Sequence, residues 1–393
     1  MKTISLILIT IFISCYNLIA QNSIERVLVE IGMNNTSLIA LKKKVEADKI
    51  GNRTGIYLSN PELDFNYLFG NPAQLGNRTD ISIKQTFDFP SAYGYKSQIA
   101  ISRNMQSDME YQNQLKILLY QARLLCIDLL YANALKNEYD KRFSHAQGIV
   151  SSYSSKLDKG EGGILELNKA QLNLLNIRKD IEGNDIIRTL LFSELATING
   201  GIEIAFTDTV IIPEVIPEDF EQWYSMTEQS NPELSWIKQE IEIQGLQEKL
   251  NLAMSFPKFS AGYMSEKVTG QQFHGISAGI SIPLWENKNS IKYAKARAIA
   301  VQNKENDSKL VFIQFLKTQH AKAVALQKLV TDYRVSLKSF DNTKLLKKAL
   351  DLGDISLTDY FYGVSLYYES LNKLLGVGRE LNKTIAALNQ YSK

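Results

Sequence analysis

The residue types best placed for chemistry are the acids around two glycines. KLDKGEGG (Lys156–Gly163) sets Asp158 and Glu161 about Gly160, with Glu166 beyond; LDLGD (Leu350–Asp354) sets Asp351 and Asp354 about Gly353, with Asp359 beyond. Where several copies meet, such acids form rings that favour cations and can hold an opening shut through hydrogen bonds or bridging ions. They also suit a merely solvated turn, and on the residues alone both readings stay open. Glycine at each centre permits a tight reversal and a close approach of another chain. His145, His274 and His320 lie far apart, and no pair has metal-ligand spacing. Met105 and Met109, one helical turn apart, could offer soft sulfur to monovalent copper, but methionine more often fills gaps between helices. No GxSxG, Walker, Rossmann or HExxH pattern occurs, so covalent catalysis, nucleotide hydrolysis and zinc hydrolysis have no starting point. No enzyme, cofactor or metal centre is expected. A net charge of +2 makes no electrostatic case for nucleic acid.

The elements that position these turns come in two copies. Gly275–Arg297, GISAGISIPLWENKNSIKYAKAR, alternates Ile276, Ala278, Ile280 and Ile282 against Ser277, Gly279 and Ser281, as a half-buried strand does. Pro283 and Trp285 close the strand; Asn287 and Asn289 offer caps, and Ile291, Ala294, Ala298 and Val301 open a helical stripe. Ile81–Lys96, ISIKQTFDFPSAYGYK, does the same earlier, with Pro90 and Tyr93 at the change. Asn35, Leu38 and Lys42 answer Asn231, Leu234 and Lys238, and Leu157, Asp158 and Gly160 answer Leu350, Asp351 and Gly353, all at an offset of roughly 193 to 196 residues. This is an internal duplication.

In chain order, residues 1–20 read as a secretory signal, with Lys2, an apolar run and Ala20 before Gln21. Cleavage after Ala20 is favoured over lipidation at Cys15. Removal of Cys15 leaves Cys126 alone, so no intrachain disulfide is expected. The first repeat spans 21–198, with a hairpin at about 54–90, a long helix at about 91–153 and a return helix at 164–198. A linker with a small strand at mid-height follows at 199–219. The second repeat spans 220–393, with a hairpin at about 256–286, a long helix at about 288–349 and a return helix at 357–391. Helices of about 60 residues reach on the order of 90 Å. Lys116, Gln121, Arg123 and Asp128 interrupt the apolar stripe of the first, which excludes a lipid-spanning helix. Each return leg is about half as long as its partner, and the helical segment before each hairpin has the length to cover the remainder.

Four strands cannot close a barrel, and an open sheet would leave bare edges and an exposed apolar face. Several chains closing one barrel remove both problems. Apolar residues would then face outward and Asp64, Lys84, Thr86, Ser277 and Ser281 inward, the pattern of a membrane barrel with a wet lumen. Tyr93, Tyr95 and Trp285 suit an interfacial girdle.

The duplicated unit, the strand ends DFP and IPLW, the helix start ENKNSIKYAKARA and the paired turns LDKGE and LDLGD resemble the TolC family of outer-membrane efflux proteins. GISIPLWENKNSIKYAKA is most similar to the heavy-metal efflux branch (CusC/CzcC-like). The resemblance spans about Ser23 to Gln390. It implies a mainly α protein with a membrane β-barrel portion: a homotrimer forming a twelve-stranded barrel in the outer membrane of a Gram-negative-type cell and a periplasmic α-helical barrel. It further implies a passive exit duct for an inner-membrane pump of the RND type and its periplasmic adaptor, embedded in outer-membrane lipid. The seven turn residues Asp158, Gly160, Glu161, Asp351, Gly353, Asp354 and Asp359 would line the periplasmic mouth or touch the adaptor. Pro90, Tyr93, Pro283 and Trp285 would mark the barrel-to-helix junction. Metal cations and drugs are both open as cargo. The alternatives are a type I protein secretion duct and a periplasmic helical scaffold or adaptor-like protein.

Overall fold

The computed structural model describes residues 23–210 and 215–391. The expected signal segment, with Cys15 and Ala20, and Pro213 of the linker lie outside the described residues. Helix α1 occupies residues 23–34. It is followed by α2 (Thr36–Gly51), β1 (Glu62–Leu68), β2 (Arg78–Phe87), α3 (Pro90–Asp158) and α4 (Ile164–Ile198). The second half continues with α5 (Phe220–Gln229), α6 (Pro232–Ala253), β3 (Lys258–Val268), β4 (Gln271–Ser281), α7 (Ser290–Phe340), α8 (Thr343–Leu352) and α9 (Leu357–Leu388). The chain divides into two compact units. One holds the sheet with Ala40–Asn113 and Asn231–Val311; the other holds Gln114–Ser230, the helical residues before Ala40 and the chain from Phe312 on.

Pro90 opens α3, where its missing N–H is no loss. The 69 residues of α3 contain no further proline, and the helix runs about a turn past the expected end. In the helical unit Ala122, Cys126, Leu129 and Leu130 of α3 are buried against Val27, Leu28 and Ile31 of α1, Leu195 of α4, and Ile204 and Phe206. Asn184 of α4 reaches the Ala132 carbonyl at 3.0 Å. In the sheet unit Lys44 and Lys49 of α2 pair with Glu110 and Asp108 of α3. The break between α1 and α2 is made by Asn35, whose Oδ1 accepts from Leu38 N at 2.9 Å while its Nδ2 donates to Ile198 O at 2.8 Å. Asn231 caps α6 in the same way through Glu233 N and Leu234 N.

Two expectations need correction. The second long helix is not continuous over 288–349: it stops at Phe340 and restarts at Thr343. Asp341 Oδ1 accepts from both the backbone N–H and the hydroxyl of Thr343, at 3.1 and 2.6 Å. This local side-chain turn competes with the helical ladder. The described part of the 199–219 linker forms no strand. Carbonyls of Phe206 and Asp208 are taken by the Asn133 side chain, at 3.4 and 3.1 Å, so a side chain replaces a neighbouring strand. Among the described residues no helix is long and apolar enough to cross a membrane.

Candidate functional site

The four strands make one antiparallel sheet in the order β1-β2-β3-β4, so the two hairpins join through β2 and β3 and leave β1 and β4 as free edges. The register sorts side chains by face, because directly opposed residues share one. Leu63, Ile83, Tyr263 and Ile276 form one row; Phe65 and Ile81 lie on one side of it, Phe87, Phe259 and Ile280 on the other. This face lies bare, with Phe65 65% and Ile276 92% exposed. His274 and Ser265 share it near the hairpin tips. The opposite face carries Glu62, Lys84, Gly262 and Ser277 in one row and Asn66, Asp80 and Glu266 in another. Two ion pairs cross strands on it, Lys84 with Glu62 at 3.6 Å and Arg78 with Glu266 at 3.0 Å, and Arg78 also meets Asp80 of its own strand at 2.8 Å. Leu68, Met264, Val268 and Phe273 are its apolar exceptions. Small residues are required at its centre, since a methyl on Gly262 would lie 2.5 Å from Ile83 O and 2.8 Å from Ser277 Oγ.

At the strand-to-helix changes the expected junction residues differ in role. Pro90 is the first residue of α3, and the Tyr93 hydroxyl accepts from Asp88 N at 2.9 Å. Lys96 pairs with Asp88 at 2.8 Å and lies 5.3 Å from the Tyr93 ring. In the second copy Pro283 and Trp285 fall between β4 and α7, and Trp285 is 77% exposed. Tyr95 is partly buried against Ile99, Ile243 and Leu246. Asn287 caps the other end of the hairpin, bonding Met254 O at the end of α6.

In the helical unit both glycine turns have the same backbone. Gly160 and Gly353 adopt φ of 74° and 80°, which an L side chain disfavours. Glu161 N donates to Lys156 O at 2.8 Å, and Asp354 N donates to Ala349 O at 2.9 Å, closing the same six-residue loop at each helix end. The acids divide. Asp359 closes a capping box with Ser356, accepting from its hydroxyl at 2.6 Å, and so starts α9. Asp351 pairs with Lys347. Asp158, Glu161 and Asp354 are exposed and make no ion pair among the described residues.

The starts of the two return helices meet. Lys169 Nζ donates to Thr358 Oγ1 at 3.1 Å, and Ala170 is buried with Ile149, Leu350, Leu357, Tyr360 and Val364. The sequence reading missed Tyr360, which the i, i+3, i+7 spacing of Leu357, Tyr360 and Val364 signals. Its hydroxyl lies 3.1 Å from His145 Nε2. Burial, with the charge of Lys347, lowers the His145 pKa, and burial raises that of Tyr360. His320 meets the Pro217 carbonyl at 2.8 Å. No group of three or more His, Cys, Asp or Glu able to hold a metal occurs among the described residues. Met105 is 46% exposed, so it fills no core gap.

No protein-family model and no curated protein matches the sequence. Solved structures do match the fold. The chain is similar to the transmembrane channel protein CusC with a TM-score of 0.79 and 13% identity, covering 94% of this chain and 92% of that one. It is similar to the outer-membrane channel OprN at 0.77 and 11%, covering 94% and 90%. Against the Campylobacter jejuni outer membrane channel CmeC the values are 0.76 and 12%, covering 94% and 85%. The chain therefore has the fold of these channels over nearly its whole length.

Proposed function

We propose that the chain is the outer-membrane exit duct of a tripartite efflux system, passive in itself and driven by its partners. The observation that carries this reading is the sheet: one bare apolar face, one polar face bearing the cross-strand ion pairs Lys84–Glu62 and Arg78–Glu266, and two free edges. β1 and β4 run in opposite directions, so β4 of one copy can pair with β1 of the next in an antiparallel ladder. Three copies close twelve strands, remove every edge and turn the apolar face toward lipid. The rows from Phe87 to Ile81 cover about 20 Å along a strand, close to the roughly 25 Å apolar band of such barrels. The small residues on the charged face fit the inside of a curled wall. Trp285 fits the periplasm-side interface of the outer membrane, with Pro90, Tyr93 and Pro283 at the same level.

The helices then continue as a periplasmic tunnel, and the two glycine turns form its mouth. There Asp158, Glu161, Asp351 and Asp354 supply acidic rings, Gly160 and Gly353 allow close approach of a periplasmic adaptor, and Asp359 holds the start of α9. The inner-membrane pump is of the RND type, and the cargo is a metal cation or a drug. Membrane fractionation followed by native mass spectrometry of the detergent-solubilised protein tests the reading. An outer-membrane homotrimer is expected, and the protomer mass distinguishes cleavage after Ala20 from a lipid on Cys15. A soluble periplasmic monomer would overturn it.

A further inference from the structure

Arg142 of α3 is the only buried lysine or arginine among the described residues, at 6% exposure. Its Nη2 donates to Asn372 Oδ1 at 2.8 Å, and the rings of Tyr368 and Tyr139 stand 4.2 and 5.3 Å from the guanidinium carbon. Its Nε is buried with no hydrogen-bond partner, and no carboxylate lies within ion-pair distance among the described residues. A buried donor without an acceptor is costly, and a buried cation without an anion more so. Arg142 lines a cavity of about 290 Å³ between α3, α4 and α9. Asp180 of α4 lines the same cavity and has neither hydrogen bond nor ion pair among the described residues. Glu369, also at the cavity, is committed to Lys373 at 2.6 Å.

One cavity thus holds a buried cation and an exposed anion that feel each other's charge but form no ion pair. A simple anion placed on Arg142 would meet Asp180, and a simple cation placed on Asp180 would meet Arg142. A ligand carrying both charges satisfies both residues at once. We propose that this cavity binds a small zwitterion of the α-amino-acid type, with its carboxylate on Arg142 and its ammonium on Asp180. A guanidinium fork matches the plane of a carboxylate and supplies the acceptor that Nε lacks. The amides of Asn173 and Asn176 stand at the polar wall, and Ile177, Phe361 and Val364 offer an apolar wall to an aliphatic side chain. At about 30 Å³ per water, the volume holds roughly ten solvent molecules, enough for an amino acid of leucine's size.

The test is titration calorimetry on the full chain in detergent with L-leucine, leucinamide (cation only) and 4-methylpentanoate (anion only). Saturable binding of leucine is expected, with each single-charge analogue at least tenfold weaker. Asp180→Asn, at an exposed position that the fold does not depend on, weakens leucine at least tenfold and leaves 4-methylpentanoate unchanged. Arg142→Gln does the converse, leaving leucinamide unchanged. Absence of saturable leucine binding by the folded wild-type protein overturns the proposal. So does 4-methylpentanoate binding as tightly as leucine, or an Asp180→Asn variant that binds leucine normally.

Discussion

The two repeats close their lower turns with the same backbone and reach those turns differently. In the first, α3 runs unbroken from Pro90 to Asp158; in the second, α7 ends at Phe340 and the short helix α8 carries the chain to Leu352. At the duplication offset Gly148 of α3 stands where the second copy has Asp341, and Val150 where it has Thr343. Ile149 likewise stands where the second copy has Asn342, so three successive differences mark the place where a continuous helix becomes a jointed one. Burial differs as well: Leu350 before the second turn is 6% exposed, while its counterpart Leu157 is half-buried. The second turn is the packed one, anchored through Leu350, Leu357 and Tyr360, and the first lies more open. Duplication kept the reversal, which glycine at positive φ enforces, and released the approach to it, which side chains decide.

The largest effects test the two faces of the sheet that both repeats build. Ile83→Arg puts a charge on the apolar face and should cost the barrel about 2–4 kcal/mol in lipid, read from denaturant unfolding in vesicles. Ser82→Arg, one residue away on the charged face, should change stability by about 0.5 kcal/mol or less. Equal losses would erase the distinction between the faces. Next comes the comparison of turns. Leu350→Ala should cost about 2–4 kcal/mol, and Leu157→Ala under half of that; similar values would show that both turns are equally packed. Gly160→Val and Gly353→Val each add about 1–2 kcal/mol of local backbone strain. They should impair efflux more than trimer formation in a cell-based export assay scored beside native gels. Unchanged efflux in both variants would defeat the assignment of the turns to the mouth.

What the sequence made legible was whatever repeats or alternates. The duplication, the strand faces from Phe65 to Ile280 and the paired glycine turns were readable because period and spacing survive without knowledge of neighbours. The joint at Asp341 was not read, although Asp-Asn-Thr is a turn signal, because a long apolar periodicity on both sides suggested continuity. The linker strand is expected from a short extended run set among Gly200, Gly201, Pro213 and Pro217, but a strand needs a partner ladder, and Asn133 lies elsewhere in the chain. Asp359 was read with the mouth acids; Ser356, three residues earlier, marks it as half of a capping box. The Arg142 and Asp180 cavity had no signal, since its residues come from three helices and meet only by packing.

The smallest effect concerns the joint itself. The two hydrogen bonds from Thr343 hold the Asp341 carboxyl below its ordinary pKa. A carboxylate whose folded pKa is lowered contributes stability above its unfolded value, about 3.9, and loses it as the pH falls through the lower folded value. Asp341→Ala should therefore cost about 0.5 kcal/mol at pH 7, at the low end for a lost cap at an exposed site, and almost nothing once the wild-type carboxyl is protonated. Urea unfolding of both proteins at pH 7 and at stepwise lower pH measures the difference. A gap that shrinks with acid assigns the joint to the ionised Asp341. A gap that stays constant would move the cause to helix propensity at residues 341 and 342, and the two repeats would then differ by backbone preference alone.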